Sequence, residues 1–255
     1  VVTVSRLCVT PVKGLKLLHP ESVELERKGA VGDRCFYLID ADGRLFSGVN
    51  HGPLCTVEAA YDPEREHLEL TFPDGSTAAG TALPEGEKVE TDFWGRAVRG
   101  RVASGPFGAA LSEFVGKPLR LVRPERGGDA SDVQPVTVLS DASVEELRRR
   151  AGREEPLDGR RFRMLIHLAG CEPHDEDGWE GRLLQLGKTL LRVGGPVPRC
   201  ATTTRDPETG VRDFDTLREV KSYRGLRGGK HIDFGVYAQV VEPGRVRVGD
   251  RAELD

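Results

Sequence analysis

The stretch LLQLGKTLLRVGGPVPRCATTTRDPETG, residues 183–210, decides how this chain folds. Its first eleven residues are two apolar runs broken at Gly187-Lys188, which accept turn dihedrals, so they predict a β-hairpin. The second run continues through Gly194-Gly195-Pro196 and places Cys200 in a loop at a strand end. Arg199 beside it favours the thiolate, the form of cysteine that binds metals or attacks sulfur. Three threonines follow, with hydroxyls able to meet an anion or an oxo ligand. On composition alone, a half-buried structural cysteine is an equally good reading.

The same hairpin grammar recurs outward from this stretch. FYLIDADGRLFSG (36–48) breaks at Asp42-Gly43, HLELTFPDGST (67–77) at Pro73-Asp74-Gly75, and VYAQVVEPGRVRVGDRAEL (236–254) at Pro243-Gly244. Helices are few. PFGAALSEFVG (106–116) has proline at its start and glycine past its end. In SDASVEELRRRAG (140–152), Ser143 and Glu146 have capping-box spacing, acids fill the first turn and arginines the last. A third helix is predicted over 215–224. The fold class is therefore β-rich α+β with few short helices. The polar, turn-rich RPERGGDASDVQP (123–135) divides the chain into 1–122 and 123–255.

Bulk properties exclude several functions. A net charge of −4 over 255 residues argues against nucleic acid or an anionic membrane surface as the main partner. No run approaches the roughly 18 apolar residues of a membrane helix. The opening VVTVSRLCVTPVKG reads as a strand rather than a signal peptide. Cys8, Cys35, Cys55, Cys171 and Cys200 are widely spaced with no C-x-x-C, which predicts five reduced thiols in the cytoplasm and argues against a zinc site.

Other clusters carry possible chemistry. In LDGRRFRMLIHL (157–168), a strand would put Arg161 and Arg163 on one face, able to grip a phosphate, or simply to form a solvated basic strand end. TPVKGLKL (10–17) sets Lys13 beside the flexible Gly14, and GDRCFYLID (32–40) opens a strand with Arg34. Neither has P-loop spacing. HDEDGW (174–179) reads as an acidic turn, and His167 as a packed, hydrogen-bonded histidine.

Taken in order, TPVKG, GDRCFYLID, LSDASVEEL, RRFR, DEDGWEG, PRCATTTRDPETG, VKSYRG, FGVY and VRVGD resemble the MOSC-domain proteins, in the branch with an N-terminal β-barrel that includes the mitochondrial amidoxime-reducing component. The resemblance implies a MOSC β-barrel over 123–255 packed with a smaller β-barrel-like domain over 1–122, sharing a molybdenum cofactor (molybdopterin) site. It makes Cys200 the metal ligand and catalytic residue. Lys13, Arg34, Ser140, Ser143 and Arg163 match residues that hold the pterin and its phosphate; Thr203, Thr204 and Asp206 match positions after the ligand. Two departures stand out: Gly14 replaces a frequent serine, and Leu165 replaces the asparagine of R-F-R-P-N, setting an apolar group near the expected cofactor face. A lost hydrogen bond there costs about 1 kcal/mol. The implied activity is reduction of N-hydroxylated small molecules. No cysteine cluster follows Cys200, so electrons are expected from an external flavin or iron–sulfur protein. The alternatives are a sulfur carrier with a persulfide on Cys200, and a non-enzymatic cofactor carrier.

Overall fold

Short alternating segments separated by turns give a strand-rich chain, and the computed structural model describes all residues, 1–255. The N-terminal part forms β1 (Thr3–Leu7), β2 (Ser22–Glu26), β3 (Gly29–Ala30), β4 (Tyr37–Ile39) and β5 (Leu45–Phe46). It continues with β6 (Glu58–Asp62), β7 (His67–Thr71), β8 (Thr77–Thr81), β9 (Lys88–Phe93), β10 (Arg96–Val102), helix α1 (Phe107–Val115) and β11 (Arg120–Pro124). Then come β12 (Val136–Ser140), α2 (Asp141–Arg150), β13 (Ile166–Ala169), β14 (Leu183–Leu186) and β15 (Thr189–Pro198). The chain closes with α3 (Thr216–Arg224), β16 (Asp233–Glu242), β17 (Gly244–Arg247) and β18 (Ala252–Leu254).

Seven strands form one sheet in the order β1-β13-β12-β16-β15-β14-β18. Its ends meet: Thr3 bridges Arg251, and Val4 N donates to Asp250 O at 2.9 Å. The sheet is thus a nearly closed barrel, which removes most of its exposed edge. Its interior is a 20-residue core that includes Leu7, Val138, Leu168, Leu184, Leu191 and Val236. The second body joins the sheet β5-β4-β11-β10-β9 to the sheet β6-β7-β8, with α1 packed across them. Phe36, Leu38, Leu54, Leu68, Phe107 and Leu111 lie in its core.

Packing divides the chain differently from a single cut at 122/123. Val4, Leu7, Val23, Leu25 and Ala30 belong to the barrel core. The chain therefore starts in the barrel and crosses to the second body twice, near residues 8–16 and 30–36. The two crossings pair with each other: Lys13 N donates to Phe36 O (2.8 Å), and Phe36 N to Pro11 O (3.0 Å). Lys13 and Arg34 sit on these crossings.

Three local expectations need correction. β17 does not pair with β16 as a hairpin; β12 and β15 occupy both edges of β16, so β17 pairs antiparallel with β2. The cap of α2 is Ser140, accepting from Ala142 N at 3.2 Å, because β12 runs straight into the helix. Ser143 lies inside the helix, and Glu146 instead binds Arg149 and Arg150 at 2.8 and 2.6 Å. Residues Gly159–Phe162 form a single 3-10 turn capped by Asp158, and the strand begins only at Ile166. Arg161 and Arg163 therefore share no strand face.

Candidate functional site

A cleft opens where the crossings meet the end of β15, with Lys13, Arg34, Arg163, Arg199, Cys200 and Thr202 in its wall. Cys200 is positioned from the backbone. Arg199 N donates to Ile232 O at 2.7 Å, Cys200 is extended (φ −120), and a 3-10 turn, Ala201–Thr204, follows at once. Cys200 is the exposed thiol of the chain; Cys8, Cys55 and Cys171 are buried and Cys35 partly so. Burial pushes Cys8 up to about 12 and Cys35 and Cys171 to about 11, so these thiols stay protonated and inert at neutral pH.

The threonines divide their work. Thr203 Oγ1 donates to Cys200 O (3.0 Å) and Thr204 Oγ1 to Ala201 O (2.8 Å), so both hydroxyls are spent on the loop. Thr202 Oγ1 lies 3.5 Å from Cys200 Sγ and is the hydroxyl beside the thiol. Nothing in the run of three threonines told Thr202 from its neighbours; only the pitch of the turn does. Arg161, 3% exposed, braces the same loop, reaching Asp213 with both terminal nitrogens (3.1 and 2.9 Å) and Thr203 O with one (3.2 Å). Asp206 is likewise structural, accepting from Glu208 N and Thr209 N in a tight turn.

The opposite wall is cationic. Lys13 Nζ lies 2.5 Å from Asp132 Oδ1; burial lowers its pKa, with Asp132 opposing. Arg34 pairs with Asp33 and donates to Arg163 O at 3.0 Å; burial works against its charge, but Asp33 and Asp132 outweigh burial and hold its pKa above the ordinary value. Arg163 donates to Leu15 O at 2.6 Å and has no acidic partner. Burial, then repulsion from Arg34, lowers it to about 10. Both arginines have left-handed backbones, φ 47 and φ 54, a conformation that non-glycine residues adopt rarely. Arg199 donates to Phe162 O, burial lowers its pKa, and its Nε has no partner.

Ser140 and Ser143 are not brought to this cleft. Both are fully buried; Ser143 Oγ donates to Glu176 (2.8 Å to Oε1) and accepts from His174 N (2.9 Å), while Ser140 N donates to the same carboxylate at 3.3 Å. Burial raises the Glu176 pKa, and the donors only partly offset it. Leu165 also lies elsewhere: it is 1% exposed inside the barrel core, with Met164 facing the cleft in its stead. Gly14 does face the cleft, at φ 95, where a serine would be strained, and Ser47 lines the same wall. Asp132, Ser47 and Trp94 had no distinguishing sequence signal; the fold brings them in from loops.

The donor set defines a ligand class. Five cations (Lys13, Arg34, Arg161, Arg163, Arg199) line the cleft with one carboxylate, Asp132. Asp33 and Asp213 pair with Arg34 and Arg161 from outside that lining, which leaves a surplus of two, and a guanidinium nitrogen of Arg199 is left without an acceptor. Such a surplus fits an anionic, phosphate-bearing ligand. An exposed thiol at its side fits a thiophilic metal.

Comparison with known proteins identifies the family. Residues 125–253 match the MOSC domain, and residues 1–118 the MOSC N-terminal beta barrel domain. The chain is 29% identical to mitochondrial amidoxime-reducing component 1 of Homo sapiens, over 99% of this chain and 82% of that protein. It is 27% identical to mitochondrial amidoxime reducing component 2 of Bos taurus, over 97% and 82%. Molybdenum cofactor sulfurase of Danio rerio is 28% identical over 92% of this chain but only 31% of its own length. Among solved structures, the YUAD protein of Bacillus subtilis covers 99% of this chain and 94% of its own at 12% identity, with a TM-score of 0.48. With one match over each part of the sequence and an exposed cysteine where the two parts meet, the chain belongs to the MOSC-domain proteins that carry an N-terminal MOSC β-barrel domain.

Proposed function

We propose that this protein is a molybdenum-cofactor-dependent oxidoreductase that reduces N-hydroxylated small molecules with electrons from a separate flavin or iron–sulfur protein. One observation carries the reading: the exposed thiol, Cys200, shares a cleft with Lys13, Arg34 and the unpaired Arg163. In this reading the three cations hold the pterin and its phosphate, and Cys200 ligates the metal. No group of three or more His, Cys, Asp or Glu surrounds the thiol, so Cys200 would be the chain's own contribution to holding a metal there and the cofactor would have to supply the rest. When bound, the cofactor supplies the two-electron chemistry that side chains lack. Two electrons and two protons cleave the N–O bond of an amidoxime, leaving an amidine and water. Arg163, at about 10, remains a cation at neutral pH and can hold a phosphate. Arg161, Thr203 and Thr204 act through the loop backbone that aims Cys200, and Ser140 and Ser143 are left out of the binding set. The printed names of the amidoxime-reducing relatives support the substrate class. Five unpaired cysteines suit a reducing compartment, and we propose the cytoplasm.

The sulfurase relative supports a second use of the same thiol, a persulfide on Cys200. Molybdenum and pterin content per chain, measured on wild type and Cys200→Ala from a cofactor-competent host, separates the two. About one of each on wild type, with molybdenum lost and amidoxime turnover abolished in the variant at unchanged Tm, supports the reductase. Undiminished turnover in Cys200→Ala sinks it. Sulfane sulfur on Cys200 in pterin-free protein moves the assignment to sulfur transfer.

A further inference from the structure

Trp94 breaks a local rule that the fold gives it no reason to break. Phe93 pairs with Arg96, so Trp94-Gly95 is the two-residue turn between β9 and β10, and both residues are left-handed, φ 54 and φ 90. Such turns favour Asn-Gly, Asp-Gly or Gly-Gly, and a bulky residue in this conformation is an outlier. The ring takes no part in a core: it is 63% exposed and touches Phe93 edge-on at 5.8 Å. Positions that violate local preference without a packing gain are expected at functional sites.

The ring's surroundings say what it is for. Trp94 lines the cleft that holds Cys200, and its ring centroid stands 5.3 Å from Lys13 Nζ. Val49, 40% exposed, lines the same cleft. Val133, 71% exposed, lies between the cleft residues Asp132 and Gln134. A strongly cationic cleft thus has an apolar rim. The hairpin is also anchored: Arg96 Nη2 donates to the carbonyls of Asp129, Ser131 and Asp132 at 2.8, 2.8 and 3.0 Å, fixing the loop opposite Trp94 to the strand that follows it.

We propose that Trp94 is the specificity-determining residue of this cleft, a platform on which planar aromatic substrates stack with their N–O group turned inward. The proposal rests on the reductase reading above and adds its substrate class: aromatic amidoximes and N-hydroxylated heterocycles in preference to aliphatic ones. Stacking on an indole face with Lys13 behind it favours a flat π-system and gives an aliphatic chain little.

The chain has two tryptophans, and Trp179 is buried at 9% exposure, so fluorescence quenching by a stacking ligand reports on Trp94. Full-length protein is titrated with benzamidoxime and with acetamidoxime, in wild type and Trp94→Ala, alongside steady-state kinetics of the loaded enzyme and of Trp94→Phe. Saturable quenching by benzamidoxime only, absent in Trp94→Ala, is expected. So is a rise of about 3- to 10-fold in its KM in that variant, larger than any change in the KM of acetamidoxime, with Trp94→Phe largely restoring it. Absence of saturable quenching, an unchanged benzamidoxime KM in Trp94→Ala, or an equal fall in kcat for both substrates overturns the proposal. Saturable benzamidoxime quenching in a wild type that reduces neither compound upholds the platform and defeats the reductase reading, so the two fail separately.

Discussion

The loop that carries Cys200 is held against the N-terminal part of the chain by two glycines in backbone contact, and Gly210→Ala tests that hold. Gly210 closes the Asp206–Gly210 turn, donating to Asp206 O at 2.9 Å, and has φ 73. A Cβ there would overlap the Gly52 carbonyl and lie 2.6 Å from Pro53 N, all main-chain atoms that cannot rotate away. Two costs add. The left-handed backbone costs an alanine about 1 kcal/mol, and overpacking of a close approach costs about 1–3 kcal/mol. The sum is about 2–4 kcal/mol, which for a chain of this size lowers Tm by about 4–16 °C. Gly116→Ala separates the terms, because Gly116 has φ 74 and nothing within 4 Å of the added methyl; it should lower Tm by only about 2–4 °C. Thermal unfolding of the three proteins under one scan condition reads the difference. A Gly210→Ala Tm within about 1 °C of the Gly116→Ala value refutes the close approach as the reason for glycine.

Two further outcomes follow from the buried charges. Arg163→Ala removes a cation with no acidic partner; charged hydrogen bonds contribute about 1.5–3 kcal/mol, so pterin retention should weaken by about 10- to 100-fold in equilibrium dialysis. Equal occupancy in wild type and variant defeats its phosphate role. Glu176 is fully buried and its pKa is raised by burial, so the folded state binds its proton more tightly than the unfolded state. Its contribution to stability therefore declines as pH rises from the ordinary carboxylate value through the raised one. Denaturant unfolding of Glu176→Gln against wild type should show the variant gaining relative stability across that window, and a parallel pair of pH profiles contradicts the assignment.

What the sequence disclosed and what it hid differ in physical kind. Hairpins at Gly43, Gly75 and Gly187 and the ends of α1 were legible because turn and cap residues act within a few positions of themselves. The β16–β17 connection looked identical at that range, yet occupancy of both β16 edges by β12 and β15, strands well outside it, overrode it. The return of β1 and β2 to the barrel was hidden for the same reason, since an alternating strand does not state which core it enters. At the site, Cys200, Lys13, Arg34 and Arg163 were named from motif and charge and do meet in one cleft. Ser140 and Ser143 were named from the resemblance alone and do not, because their hydroxyls serve α2 and Glu176. Trp94 and Asp132 arrive from loops whose sequences carry no chemical signature.

The placement of the two cleft arginines ties the site to the fold. Glycine at position 34 or 163 would relieve about 1 kcal/mol of left-handed strain but would give up the guanidinium's hydrogen bond to the opposite backbone, so each arginine is held there by that bond as well as by the charge it brings to the cleft. Arg34 comes from a crossing segment, donates to Arg163 O, and Arg163 in turn donates to Leu15 O on the other crossing. Each guanidinium thus fastens the backbone of the opposite part of the chain while presenting charge to the same cleft. Repulsion between them is part of why Arg163 is held at about 10, and an anion bound between them would relieve it. Any ligand that binds only when both arginines are in place stabilises the folded seam by mass action. On the proposed reading, ligand affinity and the union of the two bodies would therefore be one coupled quantity, with Arg34 and Arg163 as its shared terms.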